Sequence, residues 1–170
     1  MATALKKSIT RYYYKDYLQW TEEERWELID GIAYDMSPAP GRYHQDIVRE
    51  LLIQFSLFFK KKKCKVYCAP FDVRLPKENQ TEDEIDTVVQ PDIAVVCDKH
   101  KLDEKGCLGA PDLIIEILSP WTSNKDLTIK FNLYERVGVK EYWIVYPEEK
   151  IVMIFRLTSE KKYGRPETFS

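Results

Sequence analysis

Apolar and polar positions along this chain switch repeatedly between a strand-like and a helix-like rhythm, which predicts an α/β fold. Two apolar segments, Trp26–Ile29 and Ile32–Met36, flank Asp30-Gly31. A type I′ turn needs positive φ at both central residues, so this dipeptide predicts a β-hairpin. Ser37-Pro38-Ala39-Pro40-Gly41 ends it. Within 43–59, Ile47, Leu51, Phe55 and Phe58 share one face of a helix. Upstream, the aromatic-rich stretch Tyr12–Trp20 reads as a short helix, with Thr21 as an N-cap for Glu22-Glu23-Glu24.

Further along, Lys65–Leu75 is expected as one strand bent at Pro70, and 76–87 as a polar, acidic loop with nothing apolar to bury. Val88-Val89 and Ile93–Cys97 read as the next strand, with Pro91 at its entry, followed by a connection from Asp98 to Pro111. Leu113–Leu118 is apolar on both faces, as in a central strand covered on both sides. Ser123 or Asn124 is expected to cap a helix through Val137, stopped by Gly138. Glu141–Tyr146 and Ile151–Leu157 make two more strands, and the polar last dozen residues are not expected to be regular. No repeat or linker interrupts the chain. The layout is a single domain spanning 1–170, with one central mixed sheet, largely antiparallel, flanked by helices.

Composition narrows the function. With 170 residues, 44% of them hydrophobic and 13% aromatic, the chain can build a substantial core. No apolar run approaches the roughly 20 residues that cross a bilayer. The first twenty residues lack a secretory pattern, so a cytoplasmic protein without a membrane partner is expected. Cys64, Cys68, Cys97 and Cys107 form no CxxC pair. Cys64 and Cys68 would stand about 13 Å apart along a strand, too far to share a zinc ion, so the cysteines are expected as free structural thiols. A net charge of −2 argues against nucleic-acid binding by bulk electrostatics but permits a local basic patch. Lys60–Lys63 with Lys65 is either a solvated helix end, which suits the helix dipole, or a phosphate contact.

Charges in apolar surroundings are the candidates for chemistry. Glu116 lies inside Leu113–Leu118, where an uncompensated carboxylate costs several kcal/mol. It is either paired at an edge or binds a metal. Asp92 begins the strand before it, and the two carboxylates meet only if those strands are antiparallel neighbours. Asp112 is about 13 Å from Glu116 along one strand and is excluded as a co-ligand. Lys130 falls on one helical stripe with Leu127, Phe131 and Tyr134. It either snorkels to solvent or reaches the carboxylates. Asp126 lies off that stripe and either positions Lys130 or merely occupies the first helical turns. His44 is either a core-edge histidine or a proton shuttle or phosphate contact near the carboxylates, and Glu27 a charge before the hairpin with weak support from spacing. Phosphate-binding glycine loops, HExxH and G-x-S-x-G are absent.

In order along the chain stand Trp26-Glu27-Leu28-Ile29-Asp30-Gly31, Met36-Ser37-Pro38, His44, Val89-Gln90-Pro91-Asp92-Ile93, Gly109-Ala110-Pro111-Asp112-Leu113, Glu116-Ile117-Leu118-Ser119-Pro120, Lys130, Leu133-Tyr134-Glu135, Gly138-Val139 and Glu141-Tyr142-Trp143-Ile144-Val145. Together they resemble the Uma-type family of restriction-endonuclease-like proteins within the PD-(D/E)XK nuclease superfamily, over about residues 10 to 160. The resemblance implies a restriction-endonuclease-like core, with Asp92 as the aspartate of the PD motif and Glu116 as the acidic residue of the third strand. Where the superfamily carries lysine two residues later, this chain has Leu118, and the resemblance implies that Lys130 replaces it. Glu27 and His44 match further cleft positions. Family members often extend further, so Arg165–Ser170 is expected to be a truncated edge.

The expected function is metal-dependent hydrolysis of phosphodiester bonds, of DNA in the first place. Asp92, Glu116 and the Ile117 carbonyl would hold Mg²⁺ or Mn²⁺, and Lys130, Glu27 and His44 would complete the catalytic set. Cleavage of both strands would suit a homodimer. The alternative is a catalytically inactive nuclease-fold module that binds nucleic acid or protein. Hydrolysis of a small phosphodiester shares the metal logic.

Overall fold

Asp30 and Gly31 have φ values of 48° and 77°, as a type I′ turn demands, and join β1 (Trp26–Ile29) to β2 (Ile32–Asp35) as an antiparallel hairpin. The structure is a computed structural model that describes residues 10–21, 25–36, 38–120 and 122–170. Glu22–Glu24, expected to follow the Thr21 cap, and Ser37 lie outside the described residues. The early helix is one turn, α1 (Tyr14–Tyr17), and the amphipathic helix is α2 (Arg42–Phe59).

Two sheets form where one was expected. The segment 65–75 is split into β3 (Lys65–Cys68) and β4 (Val73–Arg74), and 88–97 into β5 (Val88–Val89) and β6 (Ile93–Val96). Proline explains both breaks: Pro70 and Pro91 have no N–H to continue a ladder, so the chain leaves one sheet there and enters the other. The connection 98–111 supplies another hairpin, β7 (Leu102–Asp103) and β8 (Gly106–Leu108). Gly106 has φ 119°, and an added Cβ would lie 2.3 Å from the Asp72 carbonyl, so no larger residue fits.

The remaining strands are β9 (Leu113–Ile117), β10 (Glu141–Tyr146), β11 (Ile151–Arg156) and β12 (Glu167–Phe169). Strand order is β2-β1-β5-β4-β8-β7 in the first sheet and β12-β11-β10-β9-β6-β3 in the second. Both are mixed: β4–β8 and β9–β10 are parallel, their other neighbours antiparallel. The apolar run β9 is central, as its two buried faces require. The helix after it is not uniform. A π-helical turn, Lys125–Lys130, leads into α3 (Phe131–Val137), which Gly138 ends at φ 87°.

The main core cluster draws Ile29, Val73 and Val89 from the first sheet, Ile114, Tyr142 and Ile144 from the second, and Leu133 and Tyr134 from α3. Helix α2 covers the other face of the second sheet, packing Ile47, Leu51 and Phe55 against Ile93, Ile115 and Ile117. Three smaller expectations are corrected. The loop 76–87 does bury an apolar side chain, Ile85, against Tyr14, Leu28 and Val88. The C-terminal segment is ordered by pairing, with Met153 opposite Thr168. Cys64 and Cys97 form a disulfide rather than free thiols, because Lys65 pairs with Val96 and sets the two cysteines side by side across β3 and β6. Cys68 and Cys107 remain free.

Candidate active site

β6 and β9 are antiparallel, with Ile93 opposite Ile115 and Ala94 opposite Ile114. The next pair along this register is Asp92 beside Glu116, so the geometry that the carboxylate pairing requires is present. The Ile117 N–H donates to Asp92 Oδ2 at 2.8 Å, and His44 Nε2, from the first turn of α2, lies 3.1 Å from the same oxygen. Both carboxylates line a cleft of about 370 Å³, together with His44, Lys125, Asp126 and Lys130.

Beneath the cleft lies a buried network. Glu27, Glu116, Asp126 and Lys130 are each no more than 3% exposed. Lys130 Nζ is 2.8 Å from both Glu27 Oε1 and Glu116 Oε1, and 3.7 Å from Asp126 Oδ1. Lys130 therefore does not snorkel. Glu116 Oε1 also accepts from the Tyr134 hydroxyl at 2.8 Å. Glu27 takes Lys125 Nζ on Oε2 at 2.7 Å and the Gln90 N–H on Oε1 at 3.0 Å. All the sequence-derived candidates (Glu27, His44, Asp92, Glu116, Ile117 and Lys130) thus meet. Asp112 instead ties the Cys97 N–H to Lys140.

Lys125 was not anticipated, and Asp126 is buried rather than off the inward face. The π-helical turn accounts for both. It bonds i to i+5, so Lys125 and Lys130, five residues apart, present their ammonium groups to one carboxylate. Leu127, placed inward by a 3.6-residue period, is 39% exposed. The hydroxyl of Tyr134 was hidden in a position that reads as plain core. The lysine run 60–63 follows the far end of α2, about 27 Å along the helix from the cleft.

Charge is distributed unevenly among these acids. Burial favours a protonated Glu27, but Lys130 and Lys125 together outweigh it and hold its pKa near 2. Burial raises Glu116 to about 8; Lys130 opposes the rise, and Asp126, Asp92 and Glu27 reinforce it. Asp126 is also raised, by burial first and against the pull of Lys130. Burial disfavours the Lys130 ammonium, yet Glu116, Glu27 and Asp126 keep it charged, with its pKa well above the ordinary value. One ammonium shared among three acids cannot offset burial for all of them, so burial prevails at Glu116 and Asp126 and is outweighed at Glu27, which Lys125 also contacts.

The hydrogen bonds of Asp92 fall on Oδ2 and those of Glu116 on Oε1, leaving Asp92 Oδ1 and Glu116 Oε2 without a protein donor among the described residues. Asp126 Oδ1 is buried and makes no hydrogen bond. Among the described residues no group of three or more His, Cys, Asp or Glu is arranged to hold a metal ion. The oxygen donors at hand are therefore two carboxylates, with Ile117 on the same cleft wall. Mg²⁺ characteristically takes one or two carboxylates and completes its shell with water and substrate phosphate, so the set fits it. The α2 N-terminus beside the cleft has neither a side-chain cap nor an acidic residue in its first turn, so its positive dipole end is undiminished there.

Two mixed sheets flanked by helices, with an acidic cleft where β6 meets β9, define a nuclease fold of the restriction-endonuclease type. The family model described as "Uma2: Putative restriction endonuclease" matches residues 14–170, and the chain belongs to this family. The crystal structure of a putative nuclease belonging to DUF820 from Anabaena variabilis has the same fold, with a TM-score of 0.72 at 24% identity, covering 92% of this chain and 83% of that one. An uncharacterized protein of Synechocystis sp. is 28% identical over 123 residues, 71% of this chain. The chain spans 60% of that relative's length. Among the described residues no helix is long and apolar enough to cross a membrane.

Proposed function

We propose that this protein is a metal-dependent endonuclease that hydrolyses phosphodiester bonds of DNA. The observation that carries the reading is the convergence of Asp92, Glu116 and Lys130 on one cleft, from two antiparallel strands and a π-helical turn. Asp92, Glu116 and the Ile117 carbonyl would hold Mg²⁺ or Mn²⁺, which neutralises phosphate charge and makes water a stronger acid at neutral pH. The chain's own groups do the rest. The Ile117 N–H and His44 fix the Asp92 carboxylate in position. The Lys130 ammonium uses two of its three donors on Glu27 and Glu116 and supplies positive charge against the negative charge on the phosphoryl oxygens and the leaving oxygen. His44 meets the site through Nε2, at 3.1 Å from Asp92 Oδ2, and would act there as a positioning group or phosphate contact.

A second reading, an inactive nuclease-fold module, is favoured by the net charge of −2 and by the lack, among the described residues, of three or more acidic, His or Cys groups arranged to hold a metal ion. Incubation of supercoiled and linear DNA with the purified chain separates the two. The nuclease reading expects nicking or cleavage that needs added Mg²⁺ or Mn²⁺ and is lost in Glu116→Gln. Metal-independent binding of DNA, without cleavage under any divalent ion, would support the module.

A further inference from the structure

A second cavity, about 430 Å³, opens beside the carboxylate cleft, and Gly41, His44, Ser119 and Pro120 line both. The rest of its wall differs in kind. Tyr43, Leu127 and Tyr146 give it aromatic and apolar surface, and Glu148 and Glu149 give it acceptors, with no lysine or arginine among the described lining. Tyr43 is 54% exposed and Leu127 39%. A single exposed apolar side chain needs no explanation. Three large side chains gathered on one cavity, continuous with an acidic cleft, do.

The wall chemistry selects its occupant. Carboxylates without a cation repel phosphate, whereas aromatic faces attract flat rings and carboxylates accept hydrogen bonds from amino groups. A nucleobase has both features: every base offers a π-face for stacking, and the cytosine amino group donates to Glu or Asp. Tyr43 and His44 are consecutive in the first turn of α2, and His44 also reaches Asp92, so the aromatic wall and the acidic cleft are separated by about one residue.

We propose that this cavity is a nucleobase subsite, which stacks an unpaired base on Tyr43 while the adjoining phosphate occupies the Asp92–Glu116 cleft. This rests on the nuclease reading and sharpens its substrate to a single strand, or a duplex with an unpaired nucleotide at the cut. A base inside an intact duplex must first leave the stack to enter, at a cost of a few kcal/mol.

The test is fluorescence anisotropy with the full chain, in Ca²⁺ to hold back turnover. The probes are labelled oligodeoxynucleotides of about 20 nucleotides: oligo-dC, oligo-dT, and a mixed sequence used as a single strand and as its perfect duplex. The single strand should bind at least about tenfold more tightly than the duplex, and oligo-dC more tightly than oligo-dT. Tyr43→Ala, on an exposed position that leaves the circular dichroism unchanged, should weaken single-strand binding about tenfold or more, and Tyr43→Phe should restore it. Equal affinity for single strand and duplex, no effect of Tyr43→Ala, or no binding at all overturns the subsite. Cleavage in Mn²⁺ is read separately. Tyr43-dependent binding without cleavage keeps the subsite and removes the nuclease; equal cleavage of duplex by wild type and Tyr43→Ala does the reverse.

Discussion

Glu27→Gln isolates the electrostatic anchor of the cleft. The carboxylate is fully buried and meets Lys125 at 2.7 Å and Lys130 at 2.8 Å. The amide keeps the shape, and its oxygen can still accept from the Gln90 N–H, but the charge is lost. Removing one partner of a buried pair costs about 3–5 kcal/mol. Here Lys130 keeps Glu116, and Lys125 is 13% exposed and can turn to water, so about 2–3 kcal/mol is expected. The same two ammonium groups hold the Glu27 carboxyl near 2, below its ordinary 4.5, so its ionised form contributes to stability. Because this pKa is lowered, the contribution is present above about 4.5 and lost as pH falls toward 2, so the assay belongs at pH 7. Thermal unfolding of the variant should come about 4–12 °C below wild type. Addition of Lys130→Met should then cost less than it does in wild type, with a coupling above about 1 kcal/mol. A Tm unchanged or raised at pH 7, or additive costs in the double variant, refutes the two-lysine anchor.

Glu116 behaves oppositely with pH. Its folded pKa is raised to about 8, so its contribution to stability is full below about 4.5 and fades as pH rises through 8. Metal must displace that proton, so calorimetry should show Mn²⁺ binding up to about tenfold more weakly for each pH unit below 8, with proton release; affinity that is flat between pH 6.5 and 8.5 contradicts this. Tyr134→Phe removes the hydroxyl 2.8 Å from Glu116 Oε1 and should lower the unfolding free energy in urea by about 1–2 kcal/mol. A change below about 0.5 kcal/mol means that this hydrogen bond does not hold Glu116.

Local chemistry was legible in the sequence and tertiary exchange was not. Asp30-Gly31 specifies its turn through backbone sterics alone, and Leu113–Leu118 declares a central strand by being apolar on both faces. Glu116 stood out because a carboxylate in such a strand needs a reason, and that reason led to Asp92 and Lys130. The division into two sheets was hidden because Pro70 and Pro91 signal only that a ladder breaks, not where the chain goes next. Lys125 and the burial of Asp126 were hidden because a widened helical turn leaves no mark in a 3.6-residue period. The Cys64–Cys97 bridge depends on the register of β3 with β6, which is a long-range fact.

The central claim is that Asp92 and Glu116 form a divalent-metal site. Titration of the full chain with Mn²⁺ at pH 8.5, beside Asp92→Asn with its fold verified by circular dichroism, tests it most directly. One ion per chain in the wild type and at least about tenfold weaker binding in the variant is the expected result. Equal binding by both proteins, or none by the wild type, contradicts it.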